Sequence, residues 1–219
     1  MILAIENLLS PAEAGAWRET AAALAFGDGR ATAGRYAREV KANDQAAPSP
    51  GRDALLEAVR TRIAGHEVFA AAVRPRAFTP LILSRYREGQ TYGMHVDDAL
   101  MKGVRTDVSF TLFLSDPDTY EGGALEIADH FEVREVRLPA GGLVLYPSTT
   151  LHRVTPVTRG ERLAVVGWAQ SWVRDAGQRE ILFDLDRSVA EIHAREGKSE
   201  LFDTLAKTRS NLIRMWAGE

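Results

Sequence analysis

The sequence has no cysteine. Disulfides, thiolate zinc sites and cysteine nucleophiles are therefore excluded, and any metal must be held by His, Asp or Glu. The absence agrees with a reducing interior, and a cytoplasmic location is expected. No run of about 18 apolar residues occurs, so no membrane-spanning helix is expected. The opening Met1–Asn7 also lacks the basic region and long apolar stretch of a secretory leader. Neither sign of charge dominates: 27 Lys and Arg against 30 Asp and Glu leave a formal net charge of -3. Nothing electrostatic therefore recommends nucleic acid or an anionic membrane as a general partner. Internal repeats and low-complexity segments are likewise missing. What remains is an ordinary globular composition, 45% hydrophobic and 26% charged over 219 residues, enough for one domain with an appendage.

Periodicity divides the chain into three regions. Residues 1–73 read as a helical and extended support. Ile2–Ile5 is a short strand, and Ser10, Pro11 and Glu13 have the cap, first-position proline and first-turn acid of a helix running to about Leu24. Gly27–Arg30 is a turn. The stretch from Ala31 to Pro50 has no clear period and reads as an extended segment or a flap over the site, stopped by Pro48–Gly51. Leu55, Leu56, Val59, Ile63, Val68 and Phe69 then predict one long helix from Asp53 to about Ala72. Residues 74–175 alternate. They predict strands at Leu81–Arg87, Tyr92–Val96, Asp107–Ser115, Ala124–Ala128, Glu132–Leu138, Gly142–Tyr146, His152–Val157 and Arg162–Trp172. A hairpin tip is expected at Asp129 and His130, and tight connections at Pro139–Gly142 and Thr158–Glu161. Residues 176–219 return to a helical period, broken at Gly197. The expected fold is thus α+β, a double-stranded β-helix (jelly roll) flanked by N-terminal helices and followed by a C-terminal helical tail. Leu201, Leu205, Leu212, Ile213 and Trp216 give the tail an apolar stripe, and a homodimer through these helices is one way to cover it.

Three residues carry the candidate chemistry. His95 and Asp97, two apart, leave one face of an extended strand together. His152 follows just after a predicted strand and turn. Two histidines and one carboxylate on one face of an octahedral ion leave three positions open, as in non-haem Fe(II) oxygenases. Ten residues after His152 stands Arg162. Ala164, Val166 and Trp168 share its face by alternation, so it is expected to point into an apolar cavity, where a guanidinium needs a carboxylate partner. A metal with open positions and a buried arginine together make a receptor for a dicarboxylic 2-oxo acid.

These residues, with the Gly27–Arg30 turn, Arg85–Asp97, Arg105–Asp107, Leu112–Pro117, Gly122–Gly123 and Leu145–Ser148, make a pattern that resembles Fe(II)- and 2-oxoglutarate-dependent dioxygenases of the prolyl and lysyl hydroxylase type. It is closely similar to the bacterial PKHD-type hydroxylases associated with iron uptake. The resemblance implies that His95, Asp97 and His152 ligate Fe(2+), and that Arg162 binds the distal carboxylate of 2-oxoglutarate. It further implies that Tyr86 hydrogen-bonds the co-substrate and that Trp168 walls its pocket. O2 is implied as second co-substrate, L-ascorbate (vitamin C) as an accessory reductant, and succinate and CO2 as products. Phe113 stands where some prolyl hydroxylases carry a second tyrosine, and a phenyl ring cannot donate that hydrogen bond. Asp98 is expected to face away from the metal, and His66, His130 and His193 to have surface roles. The substrate class stays open between a peptide or protein side chain, prolyl or lysyl, and a small molecule. A non-catalytic iron or 2-oxo acid sensor and a cupin-like metal enzyme of another reaction type are the alternatives.

Overall fold

In a computed structural model, which describes residues 1–128 and 131–218, strand β1 (Leu3–Ile5) leads into helix α1 (Pro11–Ala22). Ser10 and Glu13 cap that helix reciprocally: the Ser10 hydroxyl accepts from the Glu13 amide, and the Glu13 carboxylate accepts from the Ser10 amide at 2.8 Å. The stretch without sequence period is built into the fold. It contains β2 (Phe26–Asp28), single 3-10 turns at Gly29–Thr32 and Ala37–Val40, β3 (Lys41–Ala42) and β4 (Asp44–Ala46). Where one helix is expected, two form, α2 (Pro50–Ala64) and α3 (Glu67–Val73), because the chain bends at Gly65 and His66. Ser49 caps α2 and Pro50 takes its first position, so Pro48–Gly51 starts a helix rather than merely ending a loop.

The strands β5 (Pro75–Phe78), β6 (Ile82–Arg87), β7 (Thr91–His95), β8 (Leu100–Met101), β9 (Val104–Arg105) and β10 (Val108–Phe113) come next. They are followed by β11 (Tyr120–Gly122), β12 (Leu125–Ala128), β13 (Val133–Val136), β14 (Leu143–Pro147), β15 (His152–Val154) and β16 (Val157–Ser171). The sequence pattern misses β5, β11 and the β8–β9 hairpin. It also predicts a turn that does not form: β16 runs straight through Thr158–Glu161, and Thr155 and Pro156 carry the chain from β15 of the smaller sheet into β16 without reversing it. Residues 157–160 find ladder partners in β11, with Tyr120 opposite Gly160, and this distant pairing outweighs the local turn signal. The hairpin tip expected at Asp129 and His130 lies outside the described residues.

Among the described residues the strands form two main antiparallel sheets. The larger has the order β1-β14-β10-β16-β6-β4-β2, with β5 and β11 also on β16; the smaller has the order β13-β12-β15-β7-β3. The segment from β2 to β4 therefore supplies the outer strands β4 and β2 of the larger sheet and the edge strand β3 of the smaller. One face of the larger sheet packs Phe110, Leu112, Leu145, Leu163 and Val165 against Val59, Ile63 and Phe69 of the helices, the main core. Its other face meets residues of the smaller sheet: Phe113, Val144 and Tyr146 touch Leu125 and Ile127. β10 is buried on both faces and still alternates: Val108, Phe110 and Leu112 belong to the main core, while Ser109 and Thr111 line the cavity between the sheets.

Helices α4 (Ala176–Glu196) and α5 (Glu200–Trp216) close the chain, separated by Gly197 at φ 65°. α4 packs on α3 and sends Phe183 into the main core. Buried Arg179 donates to the carbonyls of Val173 and Arg174 at 2.9 and 2.8 Å, and Asp186 pairs with both Arg74 and Arg209. α5 lies on α4, with no fully buried residue of its own and with Leu201 and Met215 exposed. No described helix is long and apolar enough to cross a membrane.

Candidate metal and co-substrate site

Strands β7 and β15 are neighbours in the smaller sheet, and their register sets His95 directly opposite His152. The two imidazole centres are 4.2 Å apart. β7 ends at His95, so Asp97 is delivered by the loop that follows rather than by the strand itself. Ser109 of β10 fixes it, donating from Oγ to Asp97 Oδ2 at 2.6 Å, and a second hydroxyl, Ser148, lies 2.8 Å from Ser109 Oγ. One ligand atom from each of His95, Asp97 and His152 lies within 4.8 Å of the others. Backbone carbonyls settle the direction of the imidazoles. Nδ1 of His95 faces Gly93 O at 2.8 Å and Nδ1 of His152 faces Thr150 O at 3.0 Å. With the N–H on Nδ1, each Nε2 keeps its lone pair for the centre, 4.0 and 3.6 Å from the Asp97 oxygens. Burial, reinforced by His152, pulls His95 down to about 4, so the ring is neutral near pH 7. Two imidazole nitrogens and one buried carboxylate suit a divalent iron and leave other positions free.

Arg162 stands on β16 of the larger sheet, only 1% exposed. Its guanidinium carbon lies 5.4 Å from the Tyr86 ring centre and 5.1 Å from that of Phe113, and its Nε has no hydrogen-bond partner. Among the described residues no carboxylate pairs with it. Gly123, at φ 61°, makes room: a Cβ there would come within 3.2 Å of Arg162 Cδ. Tyr86 is the Cα partner of Arg162 across β6 and β16. Its burial pushes the phenol up to about 12, which keeps it a neutral donor. Trp168, on the same face of β16, is opposite Ser109, and its indole N–H is buried without an acceptor. Arg162, Tyr86 and Trp168 line one open-mouthed cavity together with His95, Asp97 and His152. Phe113 backs the arginine as a purely apolar wall.

The remaining candidates fall elsewhere. Asp98 is exposed at the cavity rim, where its carbonyl accepts from Thr106 Oγ1 at 2.6 Å. His66 caps α3 by position without a side-chain hydrogen bond, His193 packs on Phe202 of the tail at 4.9 Å, and His130 lies outside the described residues. Sequence reasoning misses Ser109, one of the polar residues alternating along β10, and Ser148, which reads as an ordinary turn residue before Thr149 and Thr150. It also misses Tyr92, whose ring stacks on His95 at 3.6 Å, and Tyr146, which is pushed well up by burial and by Asp97. Lys41, Asn43 and Gln45 line the cavity too, and the only signal for them is the alternation of three polar residues across Ala42 and Asp44.

Comparison with known proteins adds to this geometry. The pattern of the 2OG-Fe(II) oxygenase superfamily matches residues 81–170, and that of the PKHD-type hydroxylase C-terminal domain matches residues 176–218. The chain is 49% identical to a PKHD-type hydroxylase of Synechococcus elongatus, over 99% of this chain and all of that protein. Among solved structures it is similar to a Pseudomonas putida prolyl-4-hydroxylase, with TM-score 0.53 and 24% identity over 78% of this chain and 92% of that one. It is also similar to the non-heme alpha ketoglutarate dependent epimerase SnoN from nogalamycin biosynthesis, with TM-score 0.58 and 15% identity over 78% of each chain. These two structures share the fold, and they share it across different reactions.

Proposed function

Because the chain belongs to the PKHD-type hydroxylases of the 2OG-Fe(II) oxygenase superfamily, we propose that it hydroxylates a C–H bond of its substrate while converting 2-oxoglutarate and O2 to succinate and CO2. We read the two facing sheets as the double-stranded β-helix of that superfamily. His95, Asp97 and His152 are the residues that would hold Fe(II), which with 2-oxoglutarate and O2 supplies the oxidant for an otherwise inert C–H bond.

The chain's own contribution is to bind and orient. Gly93 O and Thr150 O hold the two imidazoles in one tautomer, and Ser109 aims the Asp97 carboxylate. Arg162 grips the distal carboxylate of 2-oxoglutarate, Tyr86 donates to it, and Trp168 bounds the pocket. No side chain is required as a general base. Ascorbate is expected to sustain turnover, and a prolyl or lysyl side chain is the first substrate to try.

The observation that carries this reading is a fully buried Arg162, without a carboxylate partner among the described residues, facing the same cavity as the triad. Anaerobic reconstitution with Fe(II) and 2-oxoglutarate, then O2, tests it by succinate released. Binding of both without succinate would make the protein a sensor. Failure to bind 2-oxoglutarate would leave a metal protein of another kind.

A further inference from the structure

Lys41 belongs to β3, the edge strand beside β7, and its Cα partner is Tyr92. The side chain turns into the cavity that holds the triad and is 7% exposed. Its ammonium makes one hydrogen bond, to Thr32 Oγ1 at 3.0 Å, and lies 4.8 Å from the Tyr92 ring centre. That ring in turn stacks on His95, so ammonium, phenol and imidazole are in consecutive contact. An ammonium has three protons to donate, and a buried cation with unfilled donors is costly. Among the described residues no carboxylate forms an ion pair with it; Asp97 and Asp28 act on it only from a distance.

The neighbours of Lys41 are donors as well. Gln45 Nε2 reaches the same Thr32 oxygen at 2.8 Å, while the Thr32 hydroxyl gives its own proton to Gly29 O at 3.1 Å. Asn43, 3% exposed, has neither amide atom hydrogen-bonded and lines the cavity. The acid of this segment, Asp44, is already taken by Arg85 and Arg87 at 3.0 and 2.8 Å. One short stretch therefore presents an ammonium and two amides to the cavity, and among the described residues no anion pairs with them. Arg162, on the larger sheet with Gln45 but across from Lys41 on the smaller, belongs to the co-substrate.

We propose that Lys41, assisted by Asn43 and Gln45, binds a free α-carboxylate of the primary substrate, so that the enzyme acts on a prolyl or lysyl compound ending in that carboxylate rather than on an internal residue of a polypeptide. The proposal rests on the oxygenase reading above. The source of the carboxylate, a free amino acid or the C-terminus of a chain, is separated by the probes.

The test is anaerobic titration of the Fe(II)- and 2-oxoglutarate-loaded protein, followed by calorimetry and by the charge-transfer absorption of the loaded site. The probes are L-proline and L-lysine, their Nα-acetyl forms, and the carboxamides of those acetyl forms. A carboxylate probe is expected to bind about tenfold or more tightly than its carboxamide. Tighter binding of the free amino acid points to that source, and tighter binding of the acetyl form to a chain terminus. Lys41→Met should erase the preference and leave affinity for 2-oxoglutarate unchanged, which also certifies the fold. Should that variant not fold, Gln45→Ala is expected to lower the preference in the same direction. Equal binding of carboxylate and carboxamide would overturn the proposal, as would failure of every probe to bind while 2-oxoglutarate binds. A loss of 2-oxoglutarate affinity in Lys41→Met would assign the ammonium to the co-substrate instead. If 2-oxoglutarate itself does not bind the wild type, the oxygenase reading falls and the subsite falls with it.

Discussion

Replacing Arg162 by methionine should move two quantities in opposite directions. The side chain is buried, packed between the rings of Tyr86 and Phe113, and has no counter-charge among the described residues. Methionine fills most of the same space without a charge. With the guanidinium gone, the distal carboxylate of 2-oxoglutarate loses a desolvated partner, a loss of about 2–5 kcal/mol. At ~1.4 kcal/mol per decade this weakens binding roughly thirtyfold to a few thousandfold. The ligand-free protein, by contrast, is relieved of an uncompensated buried cation. Exchanges of buried ionic groups for apolar ones give up to about 4 kcal/mol, less here because the two aromatic faces already soften the cost. Urea unfolding of both proteins without ligand reads the second effect, and anaerobic titration with 2-oxoglutarate reads the first. At one hundred times its dissociation constant, 2-oxoglutarate should add about 2.7 kcal/mol to the wild type. The same concentration should add no more than about 0.9 kcal/mol to the variant, and almost nothing at the upper end of the weakening. A variant that keeps its affinity, or that is less stable than wild type by more than about 1 kcal/mol, would refute the reasoning and turn attention to Arg159, which in the structure is exposed and paired with Glu121 at 2.8 Å.

Asp97→Ala removes the one anionic ligand and the acceptor of the Ser109 hydroxyl; metal analysis after anaerobic reconstitution should show loss of Fe(II) with the fold intact by circular dichroism. Burial pulls the Lys41 ammonium down to about 8. Its folded value then lies below its unfolded one, so the unfolded chain binds more protons as pH climbs from 8 and the stability penalty fades as the ammonium deprotonates. Lys41→Met should therefore be more stable than wild type at pH 7 by up to roughly 3 kcal/mol, with the gap closing toward pH 10.5, and urea curves at both ends of that range check it. The open face of α5, with Leu201 and Met215 exposed, is expected to meet a second copy through the C-terminal helices. Light scattering across concentrations checks this, and a monomer throughout would mean that α4 alone covers the tail.

What could be read in the sequence was whatever repeats at short range. His95, Asp97 and His152 are distinctive ligand types, and Arg162 declared its inward face through Ala164, Val166 and Trp168 by simple alternation. Ser10 and Gly197 marked helix ends because capping is local. The misses share a different cause. β3 and β4 are two and three residues long, too short for any period, and exist because each lies along an edge strand distant in sequence. Gly160 looks like a turn and becomes a strand residue because β11 arrives to pair with it. Ser109 reads as the polar face of an alternating strand until the loop carrying Asp97 folds over it.

The two histidines stand on one sheet and Arg162 on the other, and that division makes the molecule a measuring device. A 2-oxo diacid held at both ends must span the space between the layers, and stacked sheets keep that space near 10 Å by the volume of the side chains between them. Selectivity for chain length is then a property of packing rather than of any group that touches the ligand. Val144 and Leu125, apolar residues from the opposed sheets packed against one another, act as spacers, and trimming either should shift the preference toward a shorter diacid without altering a single polar contact.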